Sequence, residues 1–440
     1  MSCWHLAARP EQAGTWSYLL PGVGGALAWL RSLNPGPNGR LGLCAANHPS
    51  VAAILLAAPL AGIRLVLLQH RLTPREQQRL RDEAGLDCVL GIDQTIPKHF
   101  ADSAFQAEPP EPEWIALELF TSGSSGPPKT AALSLRALCA AADASGQHLG
   151  LAPGERWLCP LGLDHIGGAA TVYRAARHGN DLCLCQGFDA ELITEQIDHT
   201  PVTGCSLVPT MLRRLLAERA SRAWPQHLRC ILTGGAALAQ DLRLQCSEHG
   251  RAPCHSYGLT EFGGMCGAQP TAGSTADDSG HALPGYTISA LGQELQIQAQ
   301  AAFSGYARQG RLFTHHSTAT AFSTGDLGQL SNGRLQVLGR ADDLIITGGE
   351  KVAPGDIEAA IRLHPAITDC CVVAVDDPEW GQRVCALIVS DHLPSDLAAH
   401  LGPLLAGPKR PKSWLVTAAM PQTPRGKVDR RAVRLLFKPS

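Results

Sequence analysis

Between residues 41 and 254, short apolar runs recur along the chain. "LGLCAA", "RLVLLQ", "DCVLGI", "WIALELF", "DLCLC", "GCSLV" and "LRCILTG" each have the length of one strand and little charge, the pattern of strands covered on both faces. Between them lie stretches such as "TPREQQRLRDEAG", "DAELITEQIDH" and "PTMLRRLLAERA". Their apolar positions recur near every 3.6 residues, which predicts helices with one buried stripe. Strand and helix in alternation predict an α/β fold with largely parallel sheets. The acidic, proline-rich "KHFADSAFQAEPPEPEW" predicts an exposed connector before the next strand.

After Pro284 the period changes. "YTISALGQELQIQAQAAFSGY" and "LGQLSNGRLQVLGR" alternate apolar and polar residues, with "SNGR" as a hairpin turn. A small antiparallel or barrel-like β subdomain is expected over about 284–338. Beyond Gly339 the pattern is mixed again: "DIEAAIRLHP" is helical, and "DCCVVAVDD" and "RVCALIVS" are strand-like. A boundary is expected at 339–343, between a large domain at 1–338 and a small α+β domain at 344–440. No internal repeat is visible.

One apolar stretch tests this reading. Residues 51–68, "VAAILLAAPLAGIRLVLL", have the length of a membrane span. Pro59, Gly62 and Arg64 interrupt the stretch, and its second half is β-branched and short. A buried helix, a turn and a core strand fit it better than a span.

Composition narrows the classes further. The chain has 440 residues, 45% hydrophobic and 17% charged, which suits a soluble enzyme with two or three domains. Its formal net charge of −2 creates no overall field that recruits nucleic acid or an anionic membrane. Fifteen cysteines are scattered without CxxC spacing, and "MSCWHLAARPEQAG" lacks a signal-peptide core. Buried thiols in a reducing cytoplasm are expected rather than disulfides. A monomer and a homodimer are both compatible with the sequence.

Candidate chemistry begins at 119–130, "LFTSGSSGPPKT". The loop follows a strand and precedes a helix expected to begin near Ser134. Gly123 and Gly126 let backbone N–H groups approach an anion; Thr121, Ser122, Ser124 and Ser125 add hydroxyls, and Lys129 adds a cation. It is not a P-loop: Gly126 is followed by two prolines, which lack N–H groups. Taken alone, such a loop is equally a surface turn. Further stretches come in order: "LTGGAAL" at 232–238, "SYGLTEFGG" at 256–264, "STGDLG" with Asp326, "GRADDLIITGGEKVAPGDIE", and "PQTPRGKVDRR" with Lys427.

With these residues in this order, the chain resembles the adenylate-forming superfamily of acyl-CoA synthetases, peptide-synthetase adenylation domains and luciferases, from about residue 41 onward. Within it, "SLVPTMLRRLL", "LTGGAAL", "YGLTEFGG" and "LPGYTISALGQELQI" are most similar to the o-succinylbenzoate–CoA ligases of menaquinone and phylloquinone biosynthesis. The resemblance implies a cytoplasmic ligase in two steps: a carboxylate attacks the α-phosphate of ATP to give an acyl-adenylate, then coenzyme A displaces AMP. ATP, Mg²⁺ and coenzyme A would be required, with a small carboxylic acid as substrate.

The resemblance also assigns roles. The loop Thr121, Ser122, Gly123, Ser124, Ser125, Gly126 and Lys129 would hold the β- and γ-phosphates. Tyr257, with Gly258 beside it, would stack on adenine opposite Gly234, Gly235 and Ala236. Thr260 would contact a phosphate and Glu261 would coordinate magnesium. Asp326 would bind the ribose hydroxyls with help from Arg340. Lys427 would be the catalytic cation on a mobile C-terminal domain that turns about Asp342, with Gly348 and Gly349 lining the pantetheine passage. His165 would stand at the acyl-pocket entrance, and Gly167 and Gly168 would give that pocket room. Arg174, nine residues after His165, would read a second carboxylate; an arginine on the solvent face is its plainer alternative.

Two other readings compete: an adenylating enzyme acting on another acid or loading a separate carrier protein, and a non-catalytic binding protein with the same fold. Lys427, Glu261 and Asp326 together argue against the last. The stiffer Pro127–Pro128 pair is a departure from the family loop, and pocket walls from the first 40 residues are unassigned by the resemblance.

Overall fold

The apolar runs become strands of two large sheets. The computed structural model describes all residues except 1, 11–15, 34–38, 109, 122–128, 349, 424–427 and 438–440, and gives only the backbone of Lys351 and Pro408. Contacts divide the chain into two compact units: Met1–Ile288 with Ile297–Phe322 and Asn332–Leu335, and Ser289–Gln296 with Ser323–Ser331 and Gln336–Ser440. Three pieces of the expected β subdomain, Ser289–Gln296, Ser323–Ser331 and 336–338, thus group with the C-terminal unit.

In the first unit, a seven-stranded sheet runs Arg311–Leu312, Gly305–Arg308, Thr130–Ser134, Ile115–Phe120, Arg64–Leu67, Arg40–Leu43, Val89–Leu90. The last four are mutually parallel; Thr130–Ser134 is antiparallel to both its neighbours. An eight-stranded sheet runs Cys3–Leu6, Asp181–Cys185, Arg156–Cys159, Gly204–Leu207, Cys230–Thr233, Cys254–Leu259, Gly264–Ala268, His281–Ala282. Its five central strands from Asp181–Cys185 to Cys254–Leu259 are parallel. Each sheet therefore has a run of parallel strands flanked by antiparallel ones.

Residues 51–68 form the Pro49–Leu60 helix, a turn and the Arg64–Leu67 strand. Every side chain from Ser50 to Leu60 is buried, because the helix packs on the Val23–Ser32 and Ile166–His178 helices. A helix apolar all round requires such covering. No helix among the described residues is long and apolar enough to cross a membrane.

Charge is also buried beside the phosphate-loop candidate. Glu118, fully buried on its strand, lies 2.6 Å from Arg64 Nε and 3.2 Å from Arg40 Nε, and accepts from Thr130 Oγ1 at 2.6 Å. Opposite charges this close offset one another's desolvation, and they bind neighbouring strands at the loop's root.

Four strands, Tyr286–Leu291, Glu294–Ala299, Phe322–Ser331 and Arg334–Arg340, form a sheet in that order. Asn332 and Gly333 at the "SNGR" turn have φ of 50° and 75°, the left-handed pair that a tight hairpin demands. In the second unit, Gly381–Val389 pairs with Asp369–Asp377, with Ile345–Thr347 and, in parallel, with Ser413–Thr417. "DCCVVAVDD" is apolar on both faces for a physical reason. Cys370, Val372 and Ala374 pack in one cluster with Ile357 and Ile361 of the Pro354–Arg362 helix; Cys371, Val373 and Val375 pack in another with Val433 of the Arg430–Leu436 helix. Alternate side chains leave a strand on opposite faces, and here each face is covered.

Candidate active site

The four adjacent parallel strands Arg156–Cys159, Gly204–Leu207, Cys230–Thr233 and Cys254–Leu259 end at the same edge of their sheet. Loops at the carboxyl ends of parallel strands are where open α/β sheets bind ligands. The first strand leads to His165, the third to Gly234, Gly235 and Ala236, and the fourth carries Tyr257 and Gly258 and runs into Thr260 and Glu261.

Close backbone approach explains two of the glycines. A Cβ on Gly234 would lie 2.6 Å from Ser256 Oγ, which itself donates to the Thr233 carbonyl at 2.9 Å. A Cβ on Gly258 would collide with the Gly264 carbonyl. Tyr257 is buried at a register shift between its strand and Gly264–Ala268. Gly235 and Ala236 are exposed beyond their strand.

Glu261 lies in the one-turn helix Thr260–Phe262 and is 8% exposed. One carboxylate oxygen accepts from Tyr306 Oη at 2.8 Å, and no cation pairs with it among the described residues. Tyr306 was not legible as a site residue, since 45 residues separate it from Glu261 and no spacing links them.

Only the root of the 121–129 loop is described. Thr121 N–H donates to the Lys129 carbonyl at 3.2 Å, just beyond the Phe120–Thr130 pair. The Thr121 hydroxyl is buried without a partner among the described residues, a donor able to meet an acceptor such as a phosphate oxygen. Lys129 Nζ stands 3.4 Å from the centre of the Tyr306 ring. Ser122, Gly123, Ser124, Ser125 and Gly126 lie outside the described residues. The loop is followed by the strand Thr130–Ser134, and Ser134 caps the Leu135–Leu149 helix.

The residues expected at the acyl pocket lie on the Ile166–His178 helix, with His165 at its N-cap. Asp164 lies between two histidines: its Oδ2 is 2.8 Å from His70 Nδ1, and its Oδ1 is 3.7 Å from His165 Nε2. Burial favours the neutral acid, but the His70 hydrogen bond and the two imidazoles outweigh it and hold the carboxyl below its usual range. The adjacent "DH" was visible in the sequence; His70, 94 residues away, was not.

Gly167 is exposed, and a Cβ there would make only an ordinary contact with Leu161. A Cβ on Gly168 would meet the Gly162 carbonyl, so a close backbone crossing requires glycine there.

Arg174 is not on the solvent face. It is 3% exposed, and its Nε and Nη2 have no hydrogen-bond partner among the described residues. Its guanidinium carbon is 5.8 Å from the Trp157 ring centre. Burial pulls its pKa down to about 10, so the group stays charged at neutral pH without a carboxylate to meet it. Nine residues of helix place it about 13 Å along the axis from His165.

The second unit gathers a further pair. Asp326, 8% exposed, lies 3.1 Å from Arg340 Nη1, and the same nitrogen donates to the Thr324 carbonyl at 3.2 Å. Asp342 occupies the short Ala341–Asp343 turn, 3.9 Å from Arg340. Gly348 has φ of 57°, with the Trp380 ring 3.4 Å from where its Cβ would stand; Gly349 lies outside the described residues. So does Lys427, though its flanks are described: Gln422 bridges Val428, and Asp429 N–H donates to the Pro421 carbonyl at 2.9 Å. Arg430 anchors that segment, with Nη2 2.7 Å from Glu358 and Nη1 donating to the Val372 carbonyl at 2.6 Å.

Among known proteins, the AMP-binding enzyme family matches residues 15–302 and the AMP-binding enzyme C-terminal domain matches 356–427. A 2–succinylbenzoate–CoA ligase of Salmonella typhimurium is 33% identical over 326 residues, 74% of this chain and 69% of the relative. The enzyme of that name from Bacillus pumilus is 29% identical over 438 residues, covering 90% and 87%. The o-succinylbenzoate CoA synthetase of Bacillus subtilis, in complex with the acyl-adenylate intermediate OSB-AMP, superposes with a TM-score of 0.80 at 25% identity, covering 97% of this chain and 95% of that one.

Proposed function

We propose that this chain, which belongs to the AMP-binding enzyme family, is a 2-succinylbenzoate–CoA ligase. It converts 2-succinylbenzoate, ATP and coenzyme A to 2-succinylbenzoyl-CoA, AMP and diphosphate. A carboxylate oxygen attacks the α-phosphorus as diphosphate leaves; then the thiol sulfur attacks the acyl carbon, losing its proton as AMP departs. Such transfers need aligned reactants and cations where negative charge accumulates. The thioester is the one that menaquinone or phylloquinone biosynthesis requires, and fifteen cysteines outside any disulfide suit the cytoplasm.

The chain's own residues divide the work. Tyr257 stacks on adenine above the Gly234–Gly235–Ala236 backbone, with Gly258 allowing the close strand approach beside it. Asp326 accepts from the ribose hydroxyls while Arg340 holds its carboxylate. Thr121, Lys129 and Thr260, with Ser122, Gly123, Ser124, Ser125 and Gly126, bind phosphate oxygens. Lys427 supplies the cation at the α-phosphate, and a turn about Asp342 replaces it with the pantetheine passage at Gly348 and Gly349. His165 lines the acyl entrance.

Glu261 fits a magnesium ion: a buried carboxylate with one hydrogen bond and no cationic partner is a hard oxygen ligand. Among the described residues no cluster of three or more His, Cys, Asp or Glu could hold a metal, which suits an ion that takes one or two carboxylates and otherwise phosphates and water. When bound, Mg²⁺ supplies positive charge to the triphosphate.

The observation that carries the substrate class is Arg174. A buried guanidinium with two unpaired nitrogens costs folding energy unless something else uses it. A diacid such as 2-succinylbenzoate brings the missing carboxylate, and bidentate pairing is what arginine does best. The test is diphosphate release across a panel of aromatic acids with coenzyme A present. The diacid is expected to exceed benzoate-like monoacids by at least tenfold in kcat/KM; equal values would remove the assignment.

A further inference from the structure

We propose that Tyr306 is a positioning residue for the triphosphate site: its ring carries Lys129 and keeps it from Glu261, while its hydroxyl aims the Glu261 carboxylate at the metal. The proposal deepens the ligase reading and rests on Glu261 as the magnesium ligand.

The geometry follows from strand register. Gly305–Arg308 pairs antiparallel with Thr130–Ser134, with Tyr306 opposite Ala131. Lys129 lies two residues before Ala131 and so shares its face, which makes Lys129 the diagonal cross-strand neighbour of Tyr306. The result is the 3.4 Å approach of Nζ to the ring centre, well within cation–π range. The hydroxyl at the far end of the same ring donates to Glu261 Oε1 at 2.8 Å.

The ring is itself fixed. Tyr306 N–H donates to Thr314 Oγ1 at 2.8 Å, and the Phe303 ring meets the tyrosine edge-on at 4.9 Å between centres. Phe303 N–H donates to the Glu261 carbonyl at 2.7 Å, so the backbones of the two residues are tied as well. Gly305 has φ of 145°, and a Cβ there would strike the Thr314 carbonyl, so only glycine lets the strand enter at this angle.

The arrangement solves an electrostatic problem. A lysine and a glutamate near one phosphate site attract each other, and an ion pair between them would withdraw both from the nucleotide. Among the described residues the two form no ion pair; instead Lys129 meets the face of the Tyr306 ring and Glu261 meets its hydroxyl. The ring satisfies the cation with π-density, and the hydroxyl satisfies one carboxylate oxygen, leaving the other for the metal. Groups that orient a ligating carboxylate are worth roughly 10–100-fold in metal affinity.

Isothermal titration of ATP at a series of Mg²⁺ concentrations, without acid or coenzyme A, tests this directly. Y306F keeps the ring and loses the hydroxyl; it is expected to need at least about tenfold more Mg²⁺ for half-maximal ATP binding. Y306L loses the ring too, and is expected to weaken ATP binding about tenfold beyond Y306F at saturating Mg²⁺. In the E261Q background, Y306F should add nothing, since it acts through Glu261. Unchanged Mg²⁺ dependence in Y306F, equal ATP binding by Y306F and Y306L, or full additivity with E261Q would each overturn the proposal. Failure of every acid to release diphosphate would sink the ligase reading and leave this titration interpretable.

Discussion

Asp164 Oδ2 lies 2.8 Å from His70 Nδ1, and the same oxygen accepts from the His70 backbone N–H at 3.2 Å. Two chain segments 94 residues apart are thereby joined beside His165. The carboxylate is the common element, since its other oxygen faces His165.

Because the Asp164 carboxyl is held below its usual range, the folded state binds its proton less readily than the unfolded chain. Its stabilising contribution is therefore full above the unfolded value near 4, and is lost as pH falls through the folded value. D164N should lower stability by about 1–3 kcal/mol at pH 7. The gap to wild type should close as the pH is taken below about 4. Urea melts at several pH values measure it; a gap that persists at low pH would place the effect in packing.

Arg174 should show opposite effects on stability and function. R174M removes a buried, unpaired charge, and is expected to match or exceed wild-type stability by about 1–2 kcal/mol. It should raise KM for the diacid at least tenfold, with little change for monoacids. Chemical denaturation and steady-state kinetics give the two readings. A destabilised variant with an unaltered diacid KM would make the arginine structural.

Replacing Lys427 with alanine should abolish adenylation, costing several kcal/mol of barrier at a factor of ten per ~1.4. Thioester formation from premade acyl-adenylate should be largely spared. Diphosphate release and coenzyme A consumption report the halves separately, and equal loss of both would defeat the two-orientation model.

R430M leaves Glu358 with the more distant Arg362, 3.5 Å away, and the Val372 N–H at 2.8 Å. The variant should destabilise the C-terminal unit by about 1–3 kcal/mol. It should also slow adenylation, because the base of the lysine segment loses its anchor. Charge-conserving R430K should recover less than half of the loss, since a lysine lacks the rigid fork whose two nitrogens reach Glu358 and the Val372 carbonyl at once. Full recovery by lysine would show that charge alone matters.

The core strands were legible because burial on both faces writes itself as an uninterrupted apolar run. Thr130–Ser134 was not: "TAALS" has little strand preference, and its conformation comes from hydrogen bonding to Ile115–Phe120 on one side and Gly305–Arg308 on the other. The edge strand Cys3–Leu6 was missed likewise; its pairing with Asp181–Cys185 is long-range. The candidate residues on strand-end turns could be picked out because glycine, aromatic and carboxylate occur there in fixed local order. His70 and Tyr306 meet Asp164 and Glu261 from 94 and 45 residues away, and no local pattern marks them.

The strand Asp369–Asp377, clothed by a helix on either side, gives the C-terminal unit a double interior of its own. A layer so enclosed supplies cohesion from within the unit. Calorimetry should therefore resolve its melting as a separate endotherm, and damage to the two large sheets should leave that endotherm where it was.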